Sequence, residues 1–367
     1  QQAAYSLIPA ADRPTLHWQI GQLLKTHLGE NFGERLFEIV DHLNQGRSLA
    51  ATIEAKMQLV RLNLQAGQKA KAAAAYQAAL NYLRNSFACL PSDSWHTEYT
   101  LTLTLYEVAA ESAYLAGERE QMQEWATAIL KNTKSTLDQV NIYKIQIQSA
   151  IVQTKYQEAI ALARQILLLL DVSFPQTPNS ADIEAALAKT KSLWQGQRIA
   201  DFVNLPRMTD PNSQAIMLLL SVVTGATYHS QPLLYCLVVS TMVNFSIVYG
   251  NSEQSSIAYA SYGAIIGEAE TNSCYQFGTL ALQVSEKFRA KSEHVRTLHI
   301  VNIFIKPWHV HLRNLLPVIK EIYHDSLENG ELEYAGYQAI QYCKMSFFAG
   351  QSLSELAPII ASYLQVM

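Results

Sequence analysis

Apolar positions recur along most of this chain at the three-and-four spacing of a helix. On successive segments they carry a finer pattern: a small residue, a bulky one four positions on, and a small one three further. Ala72, Tyr76 and Ala79 show it, with Gly67 five positions ahead where a turn is expected. Leu36, Val40 and Leu43, joined by Phe37, form one apolar stripe, and Asn44-Gln45-Gly46 ends that helix. Helix pairs are predicted over 49–66 and 69–84, hinged at Gly67, and over 99–116 and 118–132, hinged at Gly117. A third pair, 140–153 and 156–170, turns near 154 and places Ala159, Ala163 and Ile166 at the interlocking positions. Further helices are predicted over 255–268, 274–289, 310–328 and 331–347, where Gly330, Ala335, Ala339 and Tyr342 repeat the hinge-plus-interlock spacing.

Two proline-bearing strings punctuate the pattern. Phe174-Pro-Gln-Thr-Pro178 pushes the residues before its prolines out of helical space, and Asn179 or Ser180 can cap the helix that follows to about Trp194. In Leu205-Pro-Arg-Met-Thr-Asp-Pro211, Asp210 suits an N-cap and Pro211 the first helical position. Residues 297–305 are rich in Ile and Val, yet their neighbours read as helix, so this segment is assigned to helix too. Small residues let paired helices approach closely while the bulky one fills a neighbour's groove. The expected fold is therefore all-α, a right-handed α-solenoid of degenerate tetratricopeptide-like hairpins. Its expected divisions are a linker over 1–13, N-terminal helical repeats over 14–172, and C-terminal repeats over 173–367 continuous with the first set.

Composition narrows the function classes. The chain is 49% hydrophobic and 16% charged with a net charge of −4, and its Lys and Arg are scattered. Duplex nucleic acid needs a clustered basic face, so no nucleic-acid partner is expected. The four cysteines, Cys89, Cys236, Cys274 and Cys343, are too sparse for a disulfide scaffold or a zinc site, and reduced thiols are expected. No signal-peptide pattern opens the sequence, which starts on Gln as a piece of a longer protein would, and a cytoplasmic location is expected. From Asn212 to Ser252 there is no Asp, Glu, Lys or Arg. This stretch fits helices buried on both faces, an apolar ligand pocket near Met217, Tyr228, Tyr235, Met242 and Phe245, or a membrane hairpin. Asn244, Ser246, Ser221 and Thr224 interrupt the apolar runs and weigh against the membrane.

Few residues suggest chemistry. His309 and His311 are two apart, and His294 and His299 five apart, so neither pair shares a helix face as a metal pair would. Tyr262-Gly-Ala-Ile-Ile-Gly267 lacks the lysine of a phosphate loop and reads as close helix packing. Glu107 and Glu111, one turn apart, read as exposed or as bonded to Arg or Lys of the next helix. No catalytic residue, metal or cofactor is expected.

Longer strings carry a family likeness: Arg61-Leu-Asn-Leu-Gln-Ala-Gly-Gln-Lys-Ala-Lys-Ala-Ala-Ala-Ala-Tyr76, Tyr106-Glu-Val-Ala-Ala-Glu-Ser-Ala-Tyr114, Leu205–Pro211, Val248-Tyr-Gly-Asn251 and Tyr259-Ala-Ser-Tyr-Gly263. Across 5–363 the chain resembles the helical middle region of very large hybrid serine/threonine and histidine kinases, best represented in cyanobacteria. Those proteins join a kinase domain and an AAA- or STAND-type ATPase to a tetratricopeptide-like region, followed by a GAF domain and often a histidine kinase. The resemblance implies a non-enzymatic regulatory sensor or protein-interaction region that couples partner or ligand binding to neighbouring ATPase and kinase domains. The partner face expected from the first helix of each hairpin includes Asn63, Tyr106, Glu107 and Tyr114. The rival reading is a small-molecule sensor whose apolar pocket lies in 212–252.

Overall fold

The computed structural model describes residues 8–28, 33–267, 269–328 and 331–366. Most of the expected linker, the hinge at Gly330 and the end of the expected 255–268 helix at Glu268 lie outside them. The described residues are helical with no strand, apart from one isolated parallel bridge between Arg207 and Asn251. The chain forms two compact units, one reaching to Ser149 and the other beginning at Ala150.

The first unit is built from α1 (Arg13–Leu28), α2 (Leu36–Gln45), α3 (Ile53–Ala72), α4 (Tyr76–Cys89), α5 (Tyr99–Leu115), α6 (Arg119–Asn132) and the first residues of α7 (Val140–Val152). Successive helices pack as hairpins, α1 on α2, α3 on α4 and α5 on α6, and α3 and α4 both meet α5. One continuous apolar core joins Ile39, Val40, Leu43, Leu59, Val60, Leu80, Leu83, Leu105, Ile129 and Ile142.

Gly67 is not a hinge. It lies inside α3, buried, where a Cβ would come within 2.8 Å of Leu83 Cδ2, so its role is to let α4 approach. The predicted helices over 49–66 and 69–84 accordingly shift to α3 and α4. The turn falls at Ala73–Ala75, with Ala74 in the left-handed region at φ 56° and the Ala75 N–H donating to Ala70 O. The same five-residue backbone bond, beside a left-handed residue, recurs at Gly117 (Glu118 to Ala113), Thr154 (Lys155 to Ala150), Asp171 (Val172 to Leu167) and Gly350 (Gln351 to Ser346). This is the hydrogen bond that closes orphan carbonyls at a helix end. The turns expected at 117 and 154 are therefore present.

The second unit holds α8 (Tyr156–Leu168), α9 (Ser180–Trp194), α10 (Pro211–Ser230), α11 (Pro232–Tyr249), α12 (Ser255–Ile266), α13 (Thr271–Phe288), α14 (Lys291–Ile300), α15 (Leu312–Glu328), α16 (Leu332–Phe348) and α17 (Leu353–Val366). Asn179 forms a capping box with Asp182, and the Asp210 carboxylate accepts from the Ser213 N–H at 2.8 Å, as both strings predict. The Ile/Val-rich segment is helical: α14 runs into a π-helical turn, Val301–Ile305.

Three of the strings quoted above meet in one lock. The Asn251 backbone donates to Pro206 O at 2.8 Å and its carbonyl accepts from Met208 N at 2.8 Å. Its side chain donates to Phe202 O at 2.7 Å and accepts from the Tyr259 hydroxyl at 2.9 Å, all of it buried. Gly250, at φ 97°, passes so close that a Cβ would sit 2.4 Å from Pro206 O. Within the charge-free stretch, α10 and α11 pack on each other and bury Met217, Leu220, Val239, Met242 and Val243. α11 is the one helix among the described residues long and apolar enough to cross a membrane, and 44% of it is buried in the fold.

Candidate functional sites

The first helices of the hairpins place a line of polar groups across the first unit. Glu111 on α5 accepts from Lys71 of α3 and lies 3.9 Å from Lys144 of α7, so one carboxylate serves two cations on flanking helices. One turn earlier, Glu107 accepts from Asn141 Nδ2 at 3.0 Å. Burial pushes its pKa above the ordinary carboxylate value, with Asp138 and Glu111 adding to the rise. Asp138 in turn accepts from the Tyr99 hydroxyl at 2.6 Å, beneath Lys134, whose ammonium sits 4.1 Å from the Tyr99 ring centroid.

The four residues expected to share this face do not share it. Asn63 is 0% exposed and exchanges two amide bonds with Asn44, at 2.9 and 2.8 Å, besides donating to Leu59 O. It is a core tie between α2 and α3 and is removed from the partner surface. Tyr106 is half-buried against Phe87 (4.7 Å between centroids) and Trp95 (5.0 Å), whereas Glu107 meets Asn141 of α7. Adjacent helical residues point about 100° apart, which separates the pair. Tyr114 packs half-buried on the core. Glu107 alone of the four stands in the polar line.

A second constellation lies in the second unit, where α10, α11, α14, the π turn and α16 converge. Arg296 on α14, half-buried, donates from Nε to the Tyr334 hydroxyl (3.2 Å), from Nη1 to Ser221 Oγ (3.4 Å), and from Nη2 to Ser221 O (3.0 Å) and Thr224 Oγ1 (3.3 Å). Every acceptor is neutral, and among the described residues no carboxylate forms an ion pair with it. Burial works against its charge, but Tyr334, Glu293 and Glu331 hold its pKa above the ordinary value. Around it stand Tyr334 and Tyr337 (5.6 Å), His299 (5.5 Å from Tyr334 and 5.7 Å from Tyr337), Phe304 (6.0 Å from His299), and Tyr228, 6.2 Å from Phe304. Tyr228 also meets Tyr235 edge-on at 5.5 Å, and burial pushes the Tyr235 hydroxyl up to about 12. His299 is 8% exposed, and burial lowers its pKa to about 4, so the ring is neutral. Its Nδ1 meets Gln338 Nε2 at 2.8 Å. At the rim, His229 bonds the Tyr337 hydroxyl (3.2 Å), which donates to Glu333 (2.7 Å).

Of the five residues expected to line an apolar pocket, only Tyr228 and Tyr235 belong to this group. Met217 and Met242 are fully buried, and Phe245 pairs with Tyr249. Met217 and Tyr228 are eleven positions apart on α10 and Tyr235 and Phe245 ten apart on α11, roughly 15 Å along each axis. The five are strung along the helices rather than gathered. The signal for Arg296 was faint: its acceptors lie 38 residues away at Tyr334 and more than 70 away at Ser221 and Thr224.

Elsewhere, His294 bonds Ser285 (2.8 Å), His309 rests on the Tyr275 ring (4.6 Å), and the His311 ring accepts from the Arg313 N–H (3.2 Å). Among the described residues no three His, Cys, Asp or Glu side chains are gathered as metal ligands would be. An open groove of about 780 Å³ runs beside α15 and α16, lined by Arg313, Lys320, Tyr342, Gly350 and Glu355.

No protein-family model matches the chain, and no solved structure matches it. The sequence is 20% identical over 416 aligned residues to the hybrid signal transduction histidine kinase G of Dictyostelium discoideum. That match takes in 99% of this chain and 12% of the kinase, so the chain corresponds to a small part of a much longer protein. The likeness links this all-helical chain, weakly but along its whole length, to a signal-transduction kinase.

Proposed function

We propose that the chain is a non-enzymatic regulatory region of a multidomain signalling kinase, a tetratricopeptide-like solenoid in which partner binding biases neighbouring ATPase and kinase domains. The observation that carries this reading is the likeness over 99% of the chain to a hybrid histidine kinase many times its length. The repeated hairpin turn at Ala74, Gly117, Thr154 and Gly350 supports the repeat character, because each such unit buries its face on a neighbour. The partner is a protein, in a cytoplasmic setting, and the face it uses is the polar line of Glu107, Glu111, Lys71 and Lys144. Partner contact there shifts the spacing of α3, α5 and α7, and any difference in affinity between two spacings becomes a coupling free energy.

The test is phosphotransfer. Autophosphorylation of the full-length polypeptide containing this region is compared with the region intact, deleted, and carrying Glu111→Lys. A several-fold change on deletion, partly reproduced by Glu111→Lys with an unchanged melting curve, is expected. Identical rates in all three forms would remove the regulatory role.

A further inference from the structure

The helix α17 repeats an earlier one. α15 carries Leu312-x-x-Leu315-x-Pro317-x-Ile319 and α17 carries Leu353-x-x-Leu356-x-Pro358-x-Ile360, each residue 41 positions further on. A proline inside a helix removes a backbone hydrogen bond and is uncommon there. Its return at the sixth position of both helices marks them as equivalent members of two hairpins. Their inner faces are used alike. Leu315 and Leu356 are both buried, and Tyr363, at the position of the buried Ile322, packs edge-on against Tyr323 of α15 (5.0 Å) and Tyr342 of α16 (6.2 Å). The neighbouring face is not used alike. α15 is followed by α16, which turns back through a bond from the Glu331 N–H to Ser326 O and packs along it. Ile319 is 0% exposed, in one cluster with Met345 of α16. Its counterpart Ile360 is 38% exposed, and Leu353 and Leu364 are 65% and 67% exposed. With the exposed Ala357 and Ala361 they line one side of α17 at spacings of three and four. The stripe is about 16 Å long, and Glu355, the one charged residue of α17, lies off it.

We infer that this stripe is the seat of a helix like α16, the second arm of a hairpin that α17 opens, supplied by the polypeptide that continues past Met367. The pattern of α16 says what the occupant looks like. It is an antiparallel amphipathic helix whose buried row has small residues four apart, as at Ala335 and Ala339, and a bulky one six further, as at Met345. Small residues there let its backbone approach Leu353, Ile360 and Leu364. A helix apolar over so wide a sector belongs between neighbours on both sides, and the earlier hairpins of the chain satisfy that need with the helix next in sequence. A second copy is a poorer occupant, because its own α16 is already engaged on its α15. A bilayer is poorer still, since a helix of this length is too short to span one. The occupant requires a polypeptide longer than this chain but not a kinase, so exchange and phosphotransfer experiments can fail independently.

The test is amide hydrogen exchange of peptides covering 353–364, in the 367-residue chain and in the full-length polypeptide containing it, each as parent and as Ile360→Glu. In the 367-residue chain Ile360→Glu is expected to leave exchange and the melting curve unchanged, because the side chain meets solvent. In the full-length polypeptide the parent peptides are expected to exchange about tenfold more slowly or better, and Ile360→Glu to erase that gain. Equal exchange in the two parents would overturn the assignment, as would protection that survives Ile360→Glu in the full-length polypeptide. A full-length sequence with no helix in the ~25 residues after Met367 would overturn it as well. Protection that appears in the 367-residue chain as its concentration rises, and is lost in Ile360→Glu, would give the stripe to a second copy instead.

Discussion

Replacing Asn251 by alanine removes two side-chain bonds from a place water does not reach. The Phe202 carbonyl loses its 2.7 Å donor and the Tyr259 hydroxyl loses its 2.9 Å acceptor, while the backbone pairing to Pro206 and Met208 has no reason to change. A buried polar group left without a partner costs about 1–3 kcal/mol, so two of them cost about 2–6, and about 3 is a fair central value. For a unit of this size each kcal/mol moves the midpoint by about 2–4 °C, which gives a fall of about 6–12 °C. The assay is differential scanning calorimetry of the full chain, with amide hydrogen exchange of peptides spanning 199–262 identifying the transition that moves. Tyr259→Phe serves as the partner change. If the two side chains act through one bond, the double variant loses less than the sum of the single losses by about 1 kcal/mol. A midpoint for Asn251→Ala within about 2 °C of the parent, or strict additivity with Tyr259→Phe, would refute the idea that this asparagine side chain ties Phe202 to α12.

Gly250→Ala places a Cβ where Pro206 O already stands, at a φ of 97° that side chains rarely adopt, and a loss of several kcal/mol is expected in the same calorimetric transition. His299 has a folded pKa of about 4 against an ordinary 6.5, so the unfolded chain binds the extra proton between those values. Stability is full above pH 6.5 and falls by about 3 kcal/mol as pH drops to 4; urea titrations of His299→Gln across that range are expected to lose this part of the slope. Glu107 shows the opposite sign. Its raised pKa means the folded state resists deprotonation, so stability is lost as pH rises through it. Glu107→Gln is expected to melt higher than the parent at neutral pH, with the advantage shrinking in acid.

Helical periodicity made the fold class legible, as did the caps at Asn179 and Asp210, because these depend on neighbours within a few residues. The hairpin turns were half legible. Gly117 was found because glycine advertises a left-handed residue, whereas Ala74 adopts the same conformation with no such signal, and Gly67 drew the turn away from it. A glycine that serves close packing and one that serves a turn look alike in sequence; only the Leu83 side chain opposite Gly67 tells them apart. The strings that carried the family likeness contained no chemistry, yet Asn251, Gly250 and Tyr259 within them form the lock. Asn63 was misjudged because helix position was assigned from repeat logic, and its partner Asn44 lies on another helix. Arg296 drew no notice, since a lone arginine in a helix is ordinary until its distant neighbours are known.

The turn residues give the chain a graded fragility. Gly117 and Gly350 adopt the left-handed conformation freely, but Ala74, Thr154 and Asp171 hold it against a steric cost of about 1–2 kcal/mol each. Turns closed by one and the same hydrogen bond therefore carry different amounts of conformational strain. Glycine at position 154 would release it, whereas Gly117 has none to release.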